Sequence, residues 1–489
     1  MRNYKKYVYT GLPLLGVLFY LLYLHAATID IIYSDYIRLI NSYLPDIWNP
    51  KKFFVPDLLT RIPVNYLERA INVELFGYSV TFDRFMGVFS FGLSALFVAG
   101  YSRRESVGIG WFAGMMVFMF SLNKWEMLYN GTGWVHFLAF ACFYYHYLVL
   151  DRVYGQRGKK GDALRLALLP ACITILVAGP YCAIYIVTLV LAYGFIYLYG
   201  RFGNAGFRVL NGRRLAGLMA LTGTPLFLYL WSHSKAVYEY SGASDAPLLA
   251  TLLEQPLYFV KFFLKSFASM VFGTELITRR MDWIPGKIWC LLGFLVIGVY
   301  VLALWMNFHY GIVNRTIFPL MLLAGGGMNH VMILVTRWIF IPKDIYGMSS
   351  RYALQYQIGI VGIFLTFALA SRELGRRKKS RERRSAMRFE GFFQGIAKTA
   401  AVLFIVGNIL TTVEEFNFAK HRKIHNQHVH VTVWNFENET DEALAEALEY
   451  NKEGIREALT LMKEHRLNIF REKEPPFYPA FMEEPLQLQ

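Results

Sequence analysis

The sequence predicts an all-α polytopic membrane protein, and three observations predict it. Of its 489 residues, 55% are apolar, 17% aromatic and 17% charged. Soluble globular domains run at about 45–50% apolar and about 25% charged. The apolar residues gather in long runs, near the ~20 that a helix needs to cross a bilayer. The basic residues bound those runs in short clusters such as Arg376, Arg377, Lys378 and Lys379. They fall on alternate loops, as the positive-inside rule requires.

Eleven spans are expected, at 8–24, 82–99, 109–122, 134–150, 166–178, 181–198, 215–231, 288–306, 317–335, 356–370 and 392–410. Lys5 and Lys6 precede the first. No small-residue cleavage pattern follows it, so it reads as a retained helix. Only Gly179 and Pro180 divide the fifth span from the sixth, a tight turn between two short spans. With the N-terminus cytoplasmic, the inner loops carry Arg103 and Arg104, the cations from Arg152 to Arg165, those from Arg201 to Arg214, and nine basic residues between 372 and 388. The loop at 307–315 fits least well, with Arg315 alone. The C-terminus then lies outside, in a multi-pass protein of the cell membrane. The net charge of +15 marks topology in this arrangement. The partner is the lipid bilayer and not nucleic acid.

The membrane domain covers 1–410, with exterior segments at 29–81 and 232–287. The first segment sets Leu58, Leu59, Ile62, Leu67 and Ile71 among Arg61, Asn65, Glu68 and Arg69. That spacing suits an amphipathic helix lying along the membrane surface. In the second segment, residues 256–271 are apolar, with Lys261 and Lys265 one turn apart, and read as an interfacial or re-entrant helix. Residues 411–489 form an exterior C-terminal domain, expected as a small α/β cap. Its strand is 428–434, where residues alternate. Its helix starts at Thr440, Asp441 and Glu442 and carries a stripe of Leu444, Leu448, Ile455, Leu459 and Met462.

Cations on the outer face need a reason, because basic residues normally stay inside. Arg61, Lys124, Arg337, Lys343 and Arg351 break that pattern. They lie beside acids and aromatics and suggest a site for an anion. Asp30 and Asp35, with Arg38, follow the first span at the outer surface. A half-buried acid there can act as a general base, whereas a helix cap or a solvated charge is the plainer use. The second exterior loop runs from Asn123 through Lys124, Trp125, Glu126 and Asn130 to Trp134. An aromatic beside a carboxylate suits a sugar ring. The loop before the tenth span carries Arg337, Lys343, Arg351 and Tyr352, and arginine is the side chain shaped for bidentate phosphate contact. Gly325, Gly326 and Gly327, followed by Asn329 and His330, allow either close helix packing or an unwound cavity wall. His425, His428 and His430 read as structural. The four cysteines form no CxxC pair, and there is no phosphate-binding loop, dinucleotide fingerprint or nucleophile elbow.

With Asp30 and Asp35 after the first span, Glu126 in the second loop and Arg351 in a later one, the layout resembles the membrane glycosyltransferases of the GT-C fold. It also resembles uncharacterised bacterial membrane proteins of that size. The adjacent Asp-Glu pair of some GT-C members is absent. The resemblance implies a polyprenyl-phosphate-linked sugar as donor and a cell-envelope glycan or lipid as acceptor. It implies Asp35 or Asp30 as the base with Glu126 as a second acid. Arg38, Arg61, Lys124, Trp125, Arg337, Lys343, Arg351 and Tyr352 would bind substrate. Some relatives use a divalent cation; nothing in this sequence requires one. A transporter or flippase of an anionic lipid or glycan, and a non-catalytic envelope-assembly subunit, are the competing classes. Transporters usually carry a repeat in their two halves, which this chain lacks.

Overall fold

Nine helices among the described residues are long and apolar enough to cross a membrane. The computed structural model describes residues 2–54, 62–202, 210–234, 244, 246–379, 384–472, 474–476 and 478. The nine are α1 (Arg2–Ala27), α4 (Val80–Arg104), α7 (Trp134–Tyr154), α9 (Cys182–Phe202), α10 (Gly212–His233), α14 (Gly286–His309), α15 (Phe318–Arg337), α16 (Ser350–Lys379) and α17 (Arg384–Trp434). Shorter helices join them. They are α2 (Tyr36–Tyr43), α3 (Pro63–Ile71), α5 (Ile109–Met119), α6 (Trp125–Tyr129), α8 (Asp162–Cys172), α11 (Leu248–Glu254), α12 (Pro256–Ala268), α13 (Thr274–Arg280), α18 (Asp441–Leu448) and α19 (Ile455–Glu464). The chain is a multi-pass helical membrane protein.

Two of the eleven expected spans are too short to count among the nine. Helices α5 and α8 have 11 residues each, about 16 Å at 1.5 Å per residue. Apolar runs at 109–122 and 166–178 do not become full-length helices, because polar and turn residues end them early. The chain leaves α5 at Phe120 and folds into short turns through Asn123, Lys124, Gly131 and Gly133. After α8, which contains Pro170, the backbone loosens into a π turn at Ile173–Val177. A 3-10 turn at Gly179–Tyr181 follows, with Gly179 at φ +50°. This is the tight turn expected at Gly179 and Pro180. Helix α5 lies along α1: the Tyr9 hydroxyl donates to the Val107 carbonyl, and that of Tyr20 to the Ser121 carbonyl at 3.0 Å. The loop after α5 is therefore sunk below the end of α1 at Ala27.

Among the described residues the tail does not form the expected α/β cap. No described residue is in a strand, and 428–434 is the end of the 51-residue helix α17, which passes through position 410 unbroken. Val429 and Val433, four apart, are both fully buried on one face of that helix. A lone strand would leave its backbone groups without a partner, and the helix satisfies them internally. His430 bonds the Tyr478 hydroxyl at 2.6 Å. The helix start at Thr440 is present, its hydroxyl accepting from the Ala443 amide at 3.2 Å. Leu444, Leu448, Ile455, Leu459 and Met462 share one core with Ile31, Ile32, Tyr36, Ile37 and Ile40. The tail is thus folded onto the segment between α1 and α4.

Helix α3 occupies part of the stretch expected to be amphipathic, with Leu67 and Ile71 exposed and Asn65 and Arg69 buried; Leu58, Leu59 and Arg61 lie outside the described residues. Helix α12 is the apolar helix expected at 256–271, and its Lys265 pairs with Asp344 at 2.8 Å. The three glycines sit in an unbroken α15. A Cβ on Gly326 would run into the backbone of Gly359 on α16, so Gly326 serves close helix packing, whereas Gly327 faces open space. His330 is buried between the rings of Phe267 and Tyr356 and bonds the Ser266 hydroxyl at 2.8 Å.

Candidate functional site

A cavity of about 650 Å³ opens where α7, α9, α10, α15 and α16 end together. A smaller chamber of about 120 Å³ adjoins it, sharing Asp35, His136, Tyr181 and Arg337 as lining. Six of the eleven residues singled out in the sequence line these spaces: Asp35, Glu126, Arg337, Arg351 and Tyr352 in the larger, and Arg38 beside Asp35 and Arg337 in the smaller.

Local structure explains why Asp35 points inward. Ser34 takes a positive φ of +50°, and its amide donates to the Leu448 carbonyl at 2.8 Å. Asp35 follows at the head of α2, yet its side chain does not cap that helix. The Asn130 amide donates to its carboxylate at 3.4 Å. Asp35 is close enough for its charge to act on Arg351 and His136. Arg38, three residues on, shares that face of α2.

Glu126 and Arg351 meet through the break after α5. Glu126 sits on the single-turn helix α6, and Arg351 in the first turn of α16. Glu126 Oε1 pairs with Arg351 Nε, and its Oε2 accepts from the Ser350 hydroxyl at 2.9 Å. Among the described residues no hydrogen bond engages the two terminal nitrogens of Arg351, whose side chain is 42% exposed. Arg337 closes α15, where a cation favours the negative end of the helix dipole.

Four expected residues lie elsewhere, and a fifth is not described. Asp30 accepts from the Ser79 hydroxyl at 2.8 Å and the Thr81 amide at 2.9 Å; it caps the start of α4, the plainer reading weighed for it. Lys124 is buried. Its amine donates to the carbonyls of Met119 at 2.7 Å and Ser121 at 3.1 Å, closing the end of α5. Burial pushes its ammonium well below the usual lysine range. Trp125 turns its ring away from the cavity and is covered by the Arg422 guanidinium, 3.1 Å above its centre. Lys343 is exposed and lines neither space. Arg61 lies outside the described residues.

The sequence reading missed His136, Tyr181, Tyr229, His233 and Gln355, and named Asn130 and Asn329 without assigning them to a site. All line the larger cavity. His136 and Tyr181 meet edge to face at 4.9 Å, and Gln355 donates to the Tyr181 hydroxyl at 3.3 Å. One signal could have found three of them: His136, Asn329 and Gln355 are polar side chains inside candidate spans, where polarity is costly and usually faces a cavity. Two acids, two arginines and several aromatic faces therefore share one recess. Such a set can take up a proton, hold an anion and stack against a ring. Comparison with protein-family models, with curated proteins and with solved structures returns no match.

Proposed function

We propose that the chain is a membrane glycosyltransferase of the GT-C type. It moves a sugar from a polyprenyl-phosphate-linked donor to a glycan or lipid acceptor of the cell envelope. The observation that carries this reading is the meeting of Asp35, uncommitted to capping, with Arg337 and Arg351 in one cavity at the ends of apolar helices. An acceptor hydroxyl attacks the anomeric carbon of the donor. The bond from that carbon to the phosphate oxygen breaks, and polyprenyl phosphate leaves with the electron pair. Asp35 takes the hydroxyl proton. Arg351 and Arg337 offset the charge that grows on the leaving phosphate. Glu126 holds the Nε edge of Arg351 and leaves the terminal nitrogens for that anion. No three His, Cys, Asp or Glu side chains converge as a metal site among the described residues. In this reading the arginines are the groups that meet the leaving phosphate.

In this reading the cavity faces the cell exterior. The N-terminus and 376–384 are cytoplasmic, and α5 and α8 complete eleven crossings. A cysteine at position 439 should react with an impermeant reagent from outside only; labelling from inside alone overturns this orientation. The test of function is sugar transfer from a polyprenyl-phosphate sugar by purified protein. Asp35→Asn should lower turnover by about 10²–10⁴-fold, the usual contribution of a positioned base, while donor binding persists. Binding of the lipid phosphate with no transfer by wild type would favour a carrier of anionic lipids instead.

A further inference from the structure

The cavity is bounded on one side by a loop that another element holds from behind. Helix α17 grips that loop at three points. The Thr412 hydroxyl accepts from the Leu122 amide at 3.1 Å, Arg422 covers the Trp125 ring, and Asn426 accepts from the Tyr129 hydroxyl at 3.1 Å. Glu126 lies between the second and third of these points. Arg422 is itself held. Its Nη2 meets Glu415 Oε2 at 2.8 Å, and its Nε pairs with the other oxygen. Glu415 is fully buried and also accepts from the Tyr23 hydroxyl at 2.8 Å. A bidentate pair of this kind fixes the plane of a guanidinium, and that plane fixes the indole beneath it.

We infer that Arg422 is a positioning residue for the cavity: through Trp125 it sets Glu126, and through Glu126 it sets the guanidinium of Arg351. It lines neither of the two chambers. The inference rests on the donor reading above, in which Arg351 meets a lipid phosphate. It goes beyond that reading by making α17, whose far end carries the folded tail, part of the machinery that shapes the anion site.

The test measures binding of undecaprenyl phosphate to the full chain in lipid nanodiscs. Arg422→Lys keeps a cation for Glu415 but lacks the planar fork. Trp125→Leu removes the indole face and leaves the Arg422–Glu415 pair intact. Each should weaken binding about tenfold, as should Glu126→Gln. Coupled residues give non-additive effects, so either variant combined with Glu126→Gln should be no weaker than Glu126→Gln alone. Arg280→Ala, which breaks the pair between Arg280 of α13 and Glu414 of α17, should bind as wild type and shows the cost of a merely structural loss there. Binding that survives both Arg422→Lys and Trp125→Leu while Arg351→Ala abolishes it overturns the positioning role and leaves the donor reading standing. Additive losses with Glu126→Gln overturn it as well. Binding indifferent to Arg351→Ala removes the donor reading, and this inference with it.

Discussion

Two charge clusters border the segment between α1 and α4, and they differ in one respect. In the first, Arg69 pairs with Asp83, both fully buried, and Asn72 and Tyr36 donate to the same carboxylate at 2.7 and 2.5 Å. Tyr36 and Tyr78 place their rings 5.2 and 5.6 Å from the Arg69 guanidinium. In the second, Arg351 pairs with Glu126 while 42% and 20% of their side chains stay exposed to the cavity. The chemistry of the two pairs is the same. In the sealed one every neighbour is protein, so the charge is spent on architecture. In the open one part of the guanidinium faces space that a ligand can fill. An ion pair identifies a site only when part of it faces open space.

The largest expected effect comes from breaking the sealed cluster. Asp83→Ala takes the nearer carboxylate from buried Arg69 and leaves it only Glu68 at 3.4 Å; breaking a buried pair usually costs about 3–5 kcal/mol. Denaturation of the detergent-solubilised chain should show most of its stability gone. A loss below about 1 kcal/mol would mean that water reaches this cluster and that the comparison fails. The open cluster should respond in function instead. Arg351→Lys should keep wild-type stability and lose roughly tenfold to a hundredfold in sugar transfer, because an ammonium cannot supply the planar fork and a charge-assisted contact is worth about 1.5–3 kcal/mol. Normal transfer by Arg351→Ala would return this residue to the role of a helix-end anchor. The smallest effect is expected at Asp30, which belongs to neither cluster. Asp30→Ala removes a cap and should cost about 0.5–2 kcal/mol, with transfer unchanged. An Asp30→Ala chain that folds but cannot transfer would make Asp30 the base in place of Asp35.

The two aspartates show where sequence reading stops. Five residues apart and equally near the first span, they are alike in composition and in expected depth. Their difference lies in partners far along the chain: Ser79 and Thr81 consume one, while Leu448 fixes the turn that aims the other. Lys124 and Trp125 were singled out for the company they keep in sequence. They turned out to close a helix end and to lie beneath Arg422, because the break after α5 faces two ways and, of these three neighbours, Glu126 faces the cavity. The reverse failure occurred at His136 and Gln355, hidden in apolar spans until packing brought them to one recess.

Composition and periodicity by themselves determined that this chain is helical and crosses a membrane, since both follow from hydrophobic run length and loop charge, which are local. They also determined the helix start at Thr440 and the apolar stripe behind it, since capping and 3.6-residue spacing act within a few residues. Only the tertiary structure decided that 428–434 is helix, that two spans fall short, and which of the scattered charges share a cavity. Those outcomes depend on contacts between residues tens to hundreds of positions apart, and the energies that settle them have no signature in any local window.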